Sequence, residues 1–325
     1  MKYLARQIGL YLLAAWASLT LNFFLPRAMP GDPVTALVAR MRGRIRPEQI
    51  EAIKAAYGFT NGSLLEQYIQ YLSHVFRGDF GISISAYPAK VSSVIATGFT
   101  WTILLGVVTL LISFIFGTIL GVVIAWKRSG FLDSTLPGLT GFVGSFPYFW
   151  LAMVSLYFLG FVMGWFPMSH AYSDYLSPGF SWAFIKSVFY HMVLPAGSII
   201  LVSVGGWMMG MRCTMISVLN EDYITMAEAK GLPQSVVMYR YAMRNAILPN
   251  ITQFGMSIGF IVAGQLLTEM VFSYPGLGFY LVRSVTTQDY PLMQALFLMI
   301  TLAVLAANFL VDILYVQLDP RVRVS

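Results

Sequence analysis

The sequence predicts an all-α protein that crosses a lipid bilayer six times, with an exposed segment between the first and second spans. Three observations carry this. The 325-residue chain is 58% hydrophobic and 10% charged, whereas a soluble domain carries about 25% charged residues. The apolar residues gather into six uncharged runs: Ile8–Leu25, Val91–Trp126, Ser134–Ser169, Ser187–Met211, Asn245–Thr268 and Tyr290–Val311. A membrane helix needs roughly 20 such residues. Barrel strands would be shorter and would alternate. The basic residues are also asymmetric. With the N-terminus inside, the inner pieces hold Lys2, Arg6, Lys127, Arg128, Arg212, Lys230, Arg240, Arg244, Arg321 and Arg323, while the two short outer loops hold only Lys186 and Arg283. Cytoplasmic loops carry the excess of Lys and Arg, so both termini are expected inside.

The first run follows Lys2 and Arg6. Its apolar core is longer than the 7–15 residues of a signal peptide and no A-x-A site follows, so residues 1–28 read as a retained helix. Residues 29–93 then lie outside. The stretch from Arg27 to Lys90 holds eight Lys or Arg, which counts little because long segments cross largely regardless of charge. Pro47 suits a first helical turn, Ile50, Ile53 and Tyr57 share a face, and Gly58 suits the stop. Ser63 and Glu66 make a capping box ahead of Tyr68, Ile69, Leu72 and Phe76. These two short amphipathic helices pack on the membrane, on a partner, or on the bundle as a lid.

Residues 94–316 form the main transmembrane domain, and 317–325 a tail. The two 36-residue runs are each read as one helix with flanks. Gly117 and Gly121 make a small-x-x-x-small patch for helix packing, and Pro147 is expected to kink the third span. Glu269 ends the fifth span, where it is expected to line the outer mouth. Asn308 and Asp312 lie four apart on the last span, and an intramembrane acid suggests function by default. The position of Asp312 near the inner end favours a structural role.

Between the fourth and fifth runs stands a polar stretch, DYITMAEAKGLPQSVVMYRYAMRNAILPN, from Asp222 to Asn250. Asp222 suits an N-cap, and Tyr223 to Lys230 makes about two turns. Gly231 suits a left-handed C-terminal position, Leu232 the apolar contact that follows, and Pro233 prevents continuation. Ala227 and Ala229, beside Glu228, keep the helix slim. A second helix from about Pro233 carries Arg240, Arg244 and Asn245. A short helix ended so sharply fits docking against another surface. An ordinary connecting loop is the plainer alternative.

The chemistry that is absent bounds the function. No G-x-x-x-x-G-K-[ST] loop exists, so the chain has no cradle for a nucleoside triphosphate. There is one cysteine, Cys213, and hence no internal disulfide or cysteine metal cluster. His74, His170 and His191 stand at no ligand spacing. No H-E-x-x-H or G-x-S-x-G motif is present. No catalytic, cofactor or metal residue is assigned, and the chain is not read as an enzyme. The net charge of +6 is explained by inner loops without invoking nucleic acid.

The polar stretch resembles the EAA loop of ABC importer permeases, with Gly231 on its glycine. It is closer to the loop of the peptide-transporter branch. Ala227, Ala229, Lys230, Gly231 and Leu232 match its first part, and Arg240, Ala242, Arg244, Asn245, Ala246 and Pro249 its second. PGDP at Pro30–Pro33, GDFGIS at Gly78–Ser83, FSYPGLG at Phe272–Gly278, DYPLMQ at Asp289–Gln294 and LDPRVR at Leu318–Arg323 follow in family order. The chain is therefore identified as resembling the first membrane subunit of the dipeptide/oligopeptide permease family. The resemblance implies a type I ABC importer permease fold with its coupling loop at 217–247. It also implies a second permease subunit, two cytoplasmic ATPases that bind ATP and Mg²⁺, and an extracytoplasmic solute-binding protein. The residues expected to couple to the ATPase are Asp222, Tyr223, Ala227, Glu228, Ala229, Lys230, Gly231, Leu232, Arg240, Arg244 and Asn245. Glu269, Tyr274, Pro275 and Gly276 are expected at an outer gate or binding-protein contact. A peptide cargo is implied, with oligosaccharides, glutathione or nickel chelates as alternatives carried by relatives. A secondary carrier is the rival class, and it would need inverted repeats and mid-span ionisable groups.

Overall fold

A computed structural model describes residues 2–28, 63–261 and 265–318. The described chain is helical. In order it forms α1 (Lys2–Ala28), α2 (Leu64–Arg77), α3 (Val91–Trp126), α4 (Phe131–Gly144), α5 (Tyr148–Ser155) running on as a π-helix (Leu156–Val162), α6 (Trp182–Leu219), α7 (Asp222–Ala229), α8 (Leu248–Phe260), α9 (Leu266–Val271), α10 (Leu277–Thr286) and α11 (Tyr290–Leu318). The expected helix at Pro47–Gly58, the PGDP stretch and residues 319–325 lie outside the described residues. So does the side chain of Asp312.

Four of these helices are long and apolar enough to cross a bilayer, within Gln7–Phe24, Val91–Trp126, Trp182–Leu219 and Tyr290–Phe309. One expectation is corrected. The run Ser134–Ser169 is not one helix: α4 and the helix begun by α5 meet at 90°. Pro147 sits at the break with φ −59° and ψ 134°. Proline lacks the N–H that would bond back four residues, and its ring clashes with that carbonyl. Counted as one span, the bent pair brings the total to five. Within the run Asn245–Thr268 the described residues form the end of the helix Met243–Ala246, α8 of 13 residues and the start of α9, and residues 262–264 lie outside the described residues.

The chain divides into two compact units, and α3 runs through both. The first comprises residues up to Thr102, 262–266 and from Pro275 onward. Its core is Val91, Val94 and Ile95 of α3 with Leu277 and Leu281 of α10 and Leu292, Ala295 and Leu296 of α11. Helix α1 lies along α11, where Asn22 Nδ2 donates to the Gln294 carbonyl at 2.7 Å and Gln294 Nε2 to the Asn22 carbonyl at 3.1 Å. The expected capping box of α2 is present. Ser63 Oγ accepts from the Glu66 N–H, the Glu66 carboxylate accepts from the Ser63 N–H, and Gly78 closes the helix at φ +69°. The helix packs on α1 through Tyr68 and Tyr71 against Phe23. The Arg27 guanidinium stacks 3.6 Å over the same ring.

Two sequence stretches meet in this unit. Asp289, fully buried, accepts on Oδ2 from Ser83 Oγ at 2.5 Å, the Ser85 N–H at 2.8 Å and Ser85 Oγ at 2.9 Å. Its Oδ1 accepts from the Leu292 N–H at 3.3 Å, which caps α11. Charge-assisted bonds of this kind are the strong ones, and they tie the loop after GDFGIS to the start of DYPLMQ.

The second unit comprises residues 103–261 and 267–274. In it α3 and α6 approach closely at two glycines. A Cβ placed on Gly117 would stand 2.5 Å from Trp207 Cβ, and one on Gly121 would stand 2.5 Å from the Met208 carbonyl oxygen. The glycine patch therefore works as the sequence suggests, admitting backbone-close packing. Helix α4 lies on α6 in the same manner, with Gly205 against Thr140. Arg212 Nε donates to Asp133 Oδ1 at 2.7 Å near the start of α4.

Candidate functional site

The polar stretch becomes a short capped helix seated on the ends of α3 and α6. Helix α7 runs Asp222–Ala229. Glu221 takes the extended N-cap backbone, φ −80° and ψ 143°, without a side-chain capping bond. This corrects the expectation for Asp222, which is the first helical residue. An acid in the first turn still faces the positive end of the helix dipole.

The other end follows the sequence. Gly231 has φ +72°. Its N–H donates to the Glu228 carbonyl at 2.8 Å, and the Leu232 N–H to the Ala227 carbonyl at 3.5 Å. These two bonds make a Schellman motif. A Cβ on Gly231 would meet nothing within 4 Å. The demand for glycine is therefore conformational rather than one of space.

Ile224 and Ala227, three residues apart, point inward. They join Val122 and Ala125 of α3, Met211 and Met215 of α6, and Val237, Ala242 and Ala246 in one buried cluster, with Leu232 packed against it. Ala227, among the residues expected to couple to the ATPase, is 2% exposed and packs against its own chain. The residues left outside are Asp222, Tyr223, Thr225, Met226, Glu228, Ala229, Lys230 and Gly231. Met226, 60% exposed, is the large apolar one among them.

After Pro233 the backbone is helical with a π-helical stretch, Val237–Ala242, which turns Val237 and Ala242 inward and leaves Tyr239, Arg240 and Tyr241 outside. Arg244 and Asn245 follow on Met243–Ala246, both exposed. Asn245 Nδ2 donates to Tyr223 Oη at 2.8 Å, which ties α7 to the stretch that leads into α8.

The residues expected at an outer gate or binding-protein contact are largely buried. Glu269 on α9 is 1% exposed, and Tyr274 is fully buried. The Tyr274 N–H donates to the Glu269 carbonyl at 2.8 Å, and the His170 N–H to the Phe272 carbonyl at 3.0 Å. Gly276 is buried as the N-cap of α10, and Pro275 is partly buried. Phe272, Tyr274, Gly276, Leu277 and Gly278 of the FSYPGLG stretch are buried.

Sequence reasoning missed Asn250. It is 6% exposed, and its Nδ2 donates to Thr118 Oγ1 at 3.4 Å and the Trp207 carbonyl at 3.3 Å. An amide at the polar head of an apolar run was the available signal.

Comparison with known proteins adds to this geometry. The sequence profile described as binding-protein-dependent transport system inner membrane component matches residues 117–324. The chain is similar to the dipeptide transport system permease protein DppB of Escherichia coli (strain K12), 34% identical over 99% of each chain. It is 31% identical to the di/tripeptide transport system permease protein DppB of Pseudomonas aeruginosa (strain UCBPP-PA14), again over 99% of each. With the oligopeptide transport system permease protein AppB of Bacillus subtilis (strain 168) it shares 32% identity over 93% of each.

Proposed function

This chain belongs to the family of binding-protein-dependent transport system inner membrane components, and from that premise we propose that it is one permease subunit of an ATP-driven importer of di- or oligopeptides. It is a membrane transport component, not an enzyme. It forms half of the translocation pathway beside a second permease subunit. Two ATPases on the inner face bind ATP and Mg²⁺, and a solute-binding protein delivers cargo outside. The chain crosses the membrane six times with both termini inside, the bent pair α4–α5 making one span and the run Asn245–Thr268 another. Residues 29–93 lie outside.

The observation that carries the reading is the capped α7. It is stiffened at its C-terminal end by the Schellman bonds and seated on α3 and α6 through Ile224 and Ala227. It presents Tyr223, Met226, Glu228 and Lys230 outward. An ATPase that grips this face moves the ends of two long helices at once. The full-length relatives are named as permeases of dipeptide, di/tripeptide and oligopeptide transport systems, which supports a peptide cargo.

The test is proximity. A cysteine at Met226, in a chain whose Cys213 is replaced by serine, should cross-link to an ATPase subunit in the assembled transporter. The yield should change when ATP is added. Cross-linking only to the second permease subunit would reject α7 as the coupling helix.

A further inference from the structure

We propose that Asn250 is a positioning residue of the transport cycle. It pins the start of α8 to α3 and α6, so that displacement of α7 reaches both long helices in register. This rests on the coupling reading of α7 given above.

The pin joins three helices at one buried point. The amide of Asn250 reaches the hydroxyl of Thr118 on α3 and a backbone carbonyl, that of Trp207, on α6. Gly210 leaves room for it: a Cβ there would stand 3.1 Å from Asn250 Oδ1. Thr118, 3% exposed, lies next to Gly117, one of the two glycines at which α3 and α6 come into backbone-close contact. The pin therefore lands beside the close contact of α3 with α6.

Upstream, the approach to α8 is held a second time. Asn245, five residues earlier, donates to Tyr223 on α7. The two asparagines lie on consecutive helices, Met243–Ala246 and α8, joined by a turn at Ile247. The Ile247 N–H on the Met243 carbonyl and the Ile251 N–H on the Ile247 carbonyl, at 3.0 and 2.9 Å, carry the chain through that turn. One amide thus ties this short connection to α7 and the other ties it to the long helices.

Packing alone does not call for asparagine here. Leucine, with the same branching and the same number of side-chain heavy atoms, would avoid the cost of burying an amide. What the amide adds is direction. Apolar surfaces slide past each other, whereas bonds to a hydroxyl and to a carbonyl fix the axial register of α8.

The experiment compares Asn250→Leu, Thr118→Val and the double variant in the complete transporter, reconstituted with its partner subunits. The readouts are ATP hydrolysis and peptide imported per ATP. Asn250→Leu should assemble and hydrolyse ATP within about twofold of wild type. Import per ATP should fall about threefold to twentyfold, the span expected for an interhelical hydrogen bond in a membrane. The double variant should be no worse than Asn250→Leu, because the two side chains share one contact. Unchanged import per ATP in Asn250→Leu would overturn the pin. So would a loss matched by equal losses of assembly and hydrolysis, since that is what a merely structural role gives. A wild-type transporter without ATP-driven import would sink the coupling reading itself.

Discussion

Gly231 offers the sharpest perturbation, because the reason for glycine there is isolated. Its φ is +72°, and no atom lies within 4 Å of an added Cβ. Substitution therefore meets no neighbour and changes only the cost of the left-handed backbone. For alanine that cost is roughly 1–2 kcal/mol. A β-branched valine costs more, and asparagine, which tolerates this region, costs less. Helix α7 has eight residues, and so short a helix is marginal on its own. Its order rests on Ile224, Ala227 and Leu232 in the cluster below and on the two Schellman bonds. Taking about 1–2 kcal/mol from the cap raises local opening about 5- to 30-fold. Hydrogen exchange of residues 222–232, measured on the full chain in nanodiscs, reads this directly. Protection should fall in the order Gly, Asn, Ala, Val, with membrane insertion intact. Wild-type protection in Gly231→Val, or damage by asparagine equal to that by valine, would refute the reasoning.

Two further outcomes test the packing and the orientation. Gly121→Val places a side chain where a Cβ already stands 2.5 Å from a backbone oxygen; overpacking of this kind costs about 1–3 kcal/mol, and the thermal midpoint of the chain in detergent should fall accordingly, whereas Gly138→Val, open around its Cβ, should change it little. Cys213 is exposed at the end of α6, so a membrane-impermeant thiol reagent should label it in inside-out vesicles and not in right-side-out ones; the opposite pattern would invert the topology.

What the sequence shows of this fold is what short-range rules determine. The capping box of Ser63 and Glu66 and the glycine stop at Gly231 need only neighbours within a few residues, and both are found as expected. The glycines at 117 and 121 mark a close-packed face, though nothing local says that α6 fills it. The helix starting at Asp222 rather than after it is the usual one-residue uncertainty of a boundary. Other features depend on distant partners. Pro147 signals a break, but the 90° angle depends on how α4 and α5 each pack on α6. Ala227 reads as a slim outer residue until the ends of α3 and α6 are known to lie beneath it. Asn250 and Asp289 look like isolated polar residues because their partners Thr118 and Ser83 are 132 and 206 positions away. The burial of Glu269 and Tyr274 has the same origin: a polar turn between apolar runs reads as surface, and only the folded unit covers it.

The central claim is that this chain conducts but does not power transport. The direct measurement is peptide uptake into proteoliposomes with subunits omitted one at a time. The chain alone should give neither ATP hydrolysis nor concentrative uptake. The second permease subunit and the ATPases should add hydrolysis, and the binding protein should stimulate it and confer uptake. Accumulation against a gradient by this chain alone, driven by a proton or sodium gradient, would contradict the claim and favour a secondary carrier.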